Sequence, residues 1–257
     1  AVFGSGGTVT SVIVKPDSSP SAEQTTELLD RIRSTTAEQI ESTSGATIYV
    51  GGSQAVAEDF TTVLVGALPL FLLLVVGLGF LALMLLFHSL LIPLTAAVTS
   101  LLSFAGALGV TVAVFQWGVA DSLLGVTGTG PILPFLPIMV FAILFGLSMD
   151  YQVFLVTRMR EEWETSHDNA DAVRLGLAGS GRVVVVAATI MTSVFLSFVP
   201  TPLDTIKVFG VALASAVIID AFIVRLVLVP SLMSMFGRAN WWLPRWLDRI
   251  LPTIRLE

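Results

Sequence analysis

The most constraining feature of the sequence is an apolar run that contains a single carboxylate. Between Leu136 and Val156 the only formally charged residue is Asp150, and Arg158 closes the run. At about 1.5 Å per residue, an α-helix of this length crosses the roughly 30 Å hydrocarbon layer of a bilayer. Asp150 lies about 12 Å along that helix from Arg158, whose side chain can reach the headgroups. Because an ionised carboxylate at that depth costs roughly 3 kcal/mol, we interpret Asp150 as a proton-binding site, against the alternative of a structural, hydrogen-bonded aspartate.

The composition is that of a membrane protein. Of the 257 residues 54% are hydrophobic and only 12% are charged, far from the usage of a soluble domain. The chain has no cysteine, which excludes disulfide and thiolate chemistry. Its net charge of −6 gives no reason to expect nucleic acid as a partner. The two histidines, His88 and His167, stand alone in predicted loops, so neither a metal site nor a catalytic triad can be built, and we do not expect an enzyme.

The polar part of the chain is its first 57 residues. Thr8 to Val14 alternates and is rich in β-branched residues, which predicts a strand, and Ala46 to Val50 predicts a second one. Between them a helix is indicated, with Ser19 or Ser21 as its N-cap. This β-α-β piece is too small to bury a core alone, so we expect it to belong to a larger domain.

Five apolar segments are long enough to be transmembrane helices, and they predict a polytopic α-helical membrane protein. The polar segment between the third and fourth spans is predicted to be an interfacial loop with a short helix to Leu177, capped by Asp168 or Asn169. Residues 237–257 mix tryptophan and arginine, as an amphipathic segment at the headgroups does. The predicted spans are residues 61–87, 90–115, 134–157, 183–199 and 208–236.

Charge decides the orientation of these spans. The 158–182 segment and the C-terminal tail hold eight arginines between them, whereas the short loops of the other side hold only Lys207. The positive-inside rule therefore places the tail in the cytoplasm and residues 1–57 outside the plasma membrane.

The fifth predicted span carries a second intramembrane charge group, Asp220 and Arg225. Residues five apart on an α-helix point about 140° away from each other, so a pair within the helix is strained. We expect Arg225 to reach another helix, with Asp150 as a candidate partner; the alternative is a structural ion pair that fixes helix packing. Hydroxyls of the fourth span either assist these groups or bond to their own helix, namely Thr189, Thr192, Ser193 and Ser197.

Several of these segments resemble a known family of transporters. They are FGLSMDYQVFLVTRMREEW, the GR at 181–182, DAFIVRLVLVPSLMSMFGRANWWLPRWLDRILP and the YVGG at 49–52. They are similar to the C-terminal half of the MmpL family, actinobacterial lipid and hydrophobe exporters of the resistance-nodulation-division (RND) superfamily. The resemblance implies twelve spans in two repeats, each with an external porter domain. Residues 1–57 would then end the second porter domain, and the five helices would be the eighth to twelfth spans.

The resemblance also implies a mechanism and partners. The family's proton relay pairs an Asp and a Tyr from each repeat, so Asp150 and Tyr151 would be one pair, supported by Asp220 and Arg225. Protons would be the coupling ion, with no other cofactor and no metal, and the substrate would be a lipid or another hydrophobic molecule. The first repeat's pair is not in this sequence, so we expect the N-terminal half of the transporter as a partner, beside membrane lipids and a homo-oligomer as an open alternative. A receptor or scaffold of cell-envelope assembly that transports nothing is the alternative function.

Overall fold

The structure, a computed structural model, describes residues 2–3, 9–18, 23–119 and 132–248. It divides into two compact units, Ala1–Leu64 and Val65–Glu257. The polar segment at the start of the chain lies in the first unit, and the apolar helices belong to the second, except for the start of the first of them.

The first unit begins with a minimal sheet. Strands β1 (Val2–Phe3) and β2 (Thr10–Ser11) pair antiparallel, with Val2 beside Ser11 and Phe3 beside Thr10. The predicted strand over Thr8–Val14 is therefore reduced to two described residues. Residues 45–50 form no strand at all, because no described strand lies beside them. The β-α-β order is thus not seen in the described residues, where a strand pair precedes the helices.

The helical part of this unit is continuous but not uniform. Helix α1 (Glu23–Arg31) passes into a π-helical turn (Ile32–Thr36) and then into α2 (Ala37–Ser44). Gly45, at φ 68°, ends α2 by donating its N–H to the Glu41 carbonyl at 2.9 Å. The predicted N-caps, Ser19 and Ser21, lie outside the described residues.

An exposed ion pair joins this helical segment to residues further along the first unit. Arg33 donates to both carboxylate oxygens of Asp59, with Nη2 at 2.8 Å from Oδ2. This hydrogen bond raises the pKa of the Arg33 guanidinium above its ordinary value.

The second unit is built from helices long and apolar enough to cross a membrane, five in the described residues. They coincide with the five apolar segments predicted to be spans and fit a polytopic membrane protein, and each begins or ends within a few residues of the prediction or extends beyond it. Helix α3 (Ser53–Phe87) starts in the first unit and continues into the second, followed by α4 (Leu91–Phe115), α5 (Leu136–Ser166) and α6 (Asn169–Leu196). The last span, Asp204–Trp241, consists of α7 (Asp204–Ile218), a π-helix (Ile219–Leu228), α8 (Val229–Phe236) and a 3₁₀ turn (Gly237–Trp241). A short helix, α9 (Arg245–Asp248), follows.

The segment predicted as an interfacial loop is helical instead. Helix α5 continues to Ser166, the chain turns at His167 (φ 52°) and Asp168, and α6 starts at once. Asp168 is the N-cap, as predicted, since Oδ1 accepts the N–H of Ala170 at 2.8 Å. The extensions are polar yet helical because their charges pair at helical spacing, as Arg160 does with Glu164 at 2.9 Å.

The core of the second unit lies between α4, α5 and α7. Phe104 and Phe141 are buried and meet edge to face, with ring centroids 5.1 Å apart. Helix α5 packs most extensively against α6, and their backbones come very close at Gly176. A Cβ on Gly176 would lie 2.7 Å from Cα of Met159, so this contact requires glycine.

Polar side chains join the helix ends on one side of this unit. Asn240, 1% exposed, donates through Nδ2 to the carbonyls of Met233 at 2.6 Å and Gly237 at 2.7 Å. Its backbone carbonyl accepts the Ser89 hydroxyl. Trp241 stacks on Trp163, with centroids 5.7 Å apart. The end of the last span is thereby attached to the α3–α4 turn and to α5.

Candidate functional site

The two charges of the last span form a buried pair with each other. Nε of Arg225 lies 3.4 Å from Oδ2 of Asp220, and the two side chains are 0% and 4% exposed. The expectation that a pair within one helix would be strained is wrong here, because residues 219–228 are π-helical. In a π-helix the hydrogen bonds run from i to i+5, so residues five apart lie on the same face.

Arg225 also reaches another helix, as expected, but its partner there is not Asp150. It donates through Nη1 to Oε1 of Gln152, and through Nη2 to the carbonyl of Ser148 at 2.5 Å and to the Ser148 hydroxyl. Gln152 and Ser148 lie one turn apart on α5 and are themselves buried. The guanidinium is therefore held between α5 and the last span.

Asp220 is equally well supplied with partners. Its Oδ1 accepts the hydroxyls of Ser148 at 3.0 Å and of Ser103, on α4, at 3.1 Å. Ser100, also on α4, lies 3.2 Å from the Ser148 hydroxyl. Two hydroxyl donors and a guanidinium thus satisfy this buried carboxylate. Three helices thus meet at one salt bridge.

Asp150 lies apart from this cluster. It is exposed in the structure, and among the described residues no side chain hydrogen-bonds to it or pairs with it. The reason is its position on α5: Asp150 is two residues from both Ser148 and Gln152, about 200° around the helix from each. Tyr151, its neighbour, is half-buried. Of the four residues predicted for the relay, the structure brings Asp220 and Arg225 together, whereas Asp150 and Tyr151, on α5, are not among the hydrogen-bond partners of that pair in the described residues.

The uncharged residues that complete the cluster were not predicted from the sequence. Ser148 and Gln152 are polar and four apart within an apolar run, and Ser100 and Ser103 are three apart on α4. Such i, i+3 and i, i+4 pairs mark one face of a helix, and this signal could have found them. The hydroxyls of the fourth span take no part: Thr189, Ser193 and Ser197 bond to their own helix. Oγ1 of Thr192 is buried and has no hydrogen-bond partner among the residues that the structure describes.

No metal site is found in the part of the chain that the structure describes, where no group of three His, Cys, Asp or Glu side chains comes together. His88 is not alone, however. Its Nδ1 lies 3.0 Å from Oδ1 of Asp248 in α9, so this histidine contacts the C-terminal segment rather than a ligand site.

Comparisons with known proteins agree with the architecture. Residues 2–252 match the MMPL family. The "Membrane protein YdfJ" of Bacillus subtilis (strain 168) is 42% identical over 246 residues, which cover 96% of this chain and 33% of YdfJ. The "Mycolic acid-containing lipids exporter MmpL11" of Mycolicibacterium smegmatis is 42% identical over 212 residues, covering 82% of this chain and 22% of that protein. The "Probable trehalose monomycolate exporter MmpL3" of Mycobacterium leprae is 37% identical over 202 residues, covering 79% and 21%. The chain thus spans between 21% and 33% of the length of these relatives.

Proposed function

The chain belongs to the MMPL family, as its resemblance predicted, and we propose that it forms the C-terminal half of a proton-driven transporter of lipids or other hydrophobic molecules across the plasma membrane. Two of the relatives above are named as exporters, one of mycolic acid-containing lipids and one of trehalose monomycolate. Those names support the substrate class, and the five apolar helices support the location in a membrane.

The observation that carries the proposal is the unpartnered carboxylate of Asp150. It lies inside an apolar span, and no described side chain neutralises it. A carboxylate in that place must bind a proton, face water, or meet a partner outside the described residues. Each of these conditions makes its charge depend on its surroundings, which is the property that a coupling site needs.

Asp220 and Arg225 have a different part in the proposal. Asp220 is the buried counter-ion of Arg225 and accepts the hydroxyls of Ser148 and Ser103. A proton on Asp220 would leave the guanidinium without that counter-ion. Such a loss costs about 3–5 kcal/mol for a buried pair. We assign the pair a fixed charge that supports the helix carrying Asp150, whereas Asp150 gains and loses the proton, with Tyr151 beside it.

The proposed orientation places the N-terminal unit, as part of a porter domain, outside the plasma membrane and the C-terminus in the cytoplasm, on the basis of the arginine distribution. A proton would reach Asp150 from outside and leave to the cytoplasm while the substrate moves outward. One proton crossing 100 mV supplies about 2.3 kcal/mol, so a demanding export step uses several protons or a pH gradient as well. The partner of Asp150 and Tyr151 would be a second Asp–Tyr pair in the N-terminal half of the same transporter, and assembly into a homo-oligomer is compatible with this proposal.

The test is a flux measurement on the full-length protein in proteoliposomes. An enclosed pH dye reports proton entry under an imposed pH gradient, and a fluorescent phospholipid analogue serves as the probe of transport. Asp150→Asn keeps the size of the side chain but cannot cycle a proton, so we expect it to abolish both fluxes at normal protein abundance. Asp171→Asn, the same change on an exposed part of α6, is the matched control and is expected to leave both fluxes intact. Normal proton entry in Asp150→Asn would refute the coupling role and favour a receptor or scaffold.

A further inference from the structure

Helix α5 carries polar groups on two opposite faces. On one face Ser148 and Gln152 are 0% and 1% exposed and contact Arg225 of the last span. On the other face Asp150 is exposed. A rotation of α5 that breaks the first set of contacts necessarily moves the second, because both belong to one rigid helical turn.

Gln152 is the side chain that specifies the contact between α5 and Arg225. The guanidinium is fully buried and cannot lose its charge, so each of its donors needs an acceptor. On α5 the acceptors are the carbonyl and hydroxyl of Ser148 and Oε1 of Gln152. The backbone carbonyl at position 148 would be present with any residue there. The acceptor at position 152, in contrast, requires a side chain as long as glutamine with an oxygen at its end.

We propose that Gln152 is a positioning residue for Asp150. By attaching α5 to Arg225, it sets the rotation of the helix about its axis and so the surroundings in which the Asp150 carboxylate binds a proton. The inference rests on the proposed proton-binding role of Asp150.

A rotation of α5 would change the distance between Asp150 and the charged groups of the neighbouring helices. Among the described helices packed against it, α4 carries no charged residue, and α3, whose Gly79 lies against Met149 and Phe145, carries only Glu58 and Asp59, near its start. The charges of α6 lie between Asp171 and Arg182, toward its first half. The last span contributes Asp220 and Arg225 at the level of Gln152, with Asp204 and Lys207 at its start and Arg238 at its end. A turn of α5 therefore changes chiefly the distance from Asp150 to the Asp220–Arg225 pair, and with it the electrostatic work of charging Asp150.

The experiment is a pH titration of the full-length protein in lipid nanodiscs, followed by difference infrared spectroscopy. The carboxylic acid C=O band that disappears in Asp150→Asn reports the protonation of Asp150. Gln152→Leu removes the acceptor, and Gln152→Asn is one methylene too short to reach Arg225. We expect both variants to shift the midpoint of this band by about one pH unit or more. Thr111→Ala, which removes a buried hydroxyl of α4 that donates to the Ala107 carbonyl of the same helix, is expected to leave the midpoint unchanged.

The outcomes separate the positioning role from the proposed function. If the wild-type band does not depend on Asp150, the proposed function fails and the inference fails with it. If the band is present but its midpoint is the same in wild type and in the Gln152 variants, only the positioning role is refuted. A lower melting temperature with an unchanged midpoint also refutes that role, since this is what a merely structural glutamine predicts. Should Gln152→Leu not fold, the Gln152→Asn titration decides.

Discussion

The stability of the helix bundle should depend strongly on the charge of Arg225. Arg225→Met keeps a long, flexible side chain but removes the guanidinium. Among the described residues, Asp220 then remains buried with only the hydroxyls of Ser103 and Ser148 as donors. Removing one partner of a buried ion pair costs about 3–5 kcal/mol. Because about 1.4 kcal/mol corresponds to a factor of ten, the unfolding equilibrium should shift by roughly two to four powers of ten.

The double variant Asp220→Leu with Arg225→Met makes this prediction specific to charge. It leaves no uncompensated charge, and replacing both partners of a buried pair by apolar residues is neutral or stabilising in other proteins. We therefore expect the double variant to recover stability to within about 1 kcal/mol of the wild type. The two substitutions should be strongly non-additive, as for groups in direct contact.

The assay is reversible unfolding of the purified full-length protein in mixed micelles with increasing dodecyl sulfate, followed by tryptophan fluorescence and circular dichroism. A loss below about 1 kcal/mol in Arg225→Met, or a double variant as unstable as the single one, would refute the reasoning. The first result would mean that water or a proton already compensates Asp220. The second would mean that the side chains matter through their shape rather than their charge.

Three further predictions concern packing and surface contacts. Gly176→Ala should destabilise the protein by about 1–3 kcal/mol, because the added Cβ meets the backbone of Met159. Gly179→Ala, on the same helix with open space around it, is the control. Thermal unfolding measures both variants. Asn240→Ala removes donors to two carbonyls, which should cost about 1–3 kcal/mol and speed amide hydrogen exchange at the end of the last span. Arg33→Gln removes an exposed ion pair and a long contact, 3.5 Å, to the Val50 carbonyl, so the melting temperature should not change measurably; a clear loss would show that these contacts do more than the structure indicates.

The hydrophobic pattern was sufficient to locate the membrane helices, but not their ends. Length and apolarity identify a span because the bilayer imposes both. They say little about a polar extension such as the one on α5, which continues to Ser166 although the apolar run ends before Arg158. Intrahelical ion pairs and the Asp168 cap decide that the chain stays helical there, and these are weaker and more local signals than hydropathy.

The two charged residues of the buried cluster were picked out in the sequence, but neither their pairing nor the uncharged side chains around them were predicted. Asp220 and Arg225 are conspicuous in an apolar span, yet their pairing depends on a π-helix, which the periodicity of the sequence did not predict. Gln152 was overlooked because an uncharged polar residue stands out little beside Asp150. Its role is visible only when α5 and the last span are packed together.

What the sequence by itself determined is the class of protein: five apolar spans, intramembrane charges at Asp150, Asp220 and Arg225, and motifs that belong to one transporter family. These follow from local properties, since each membrane-spanning helix must satisfy its own backbone hydrogen bonds. The tertiary structure alone decided which charges meet and which face of α5 carries Asp150. Partner choice in a buried cluster depends on where separate helices place their side chains, and that is a property of the packed bundle rather than of any one segment.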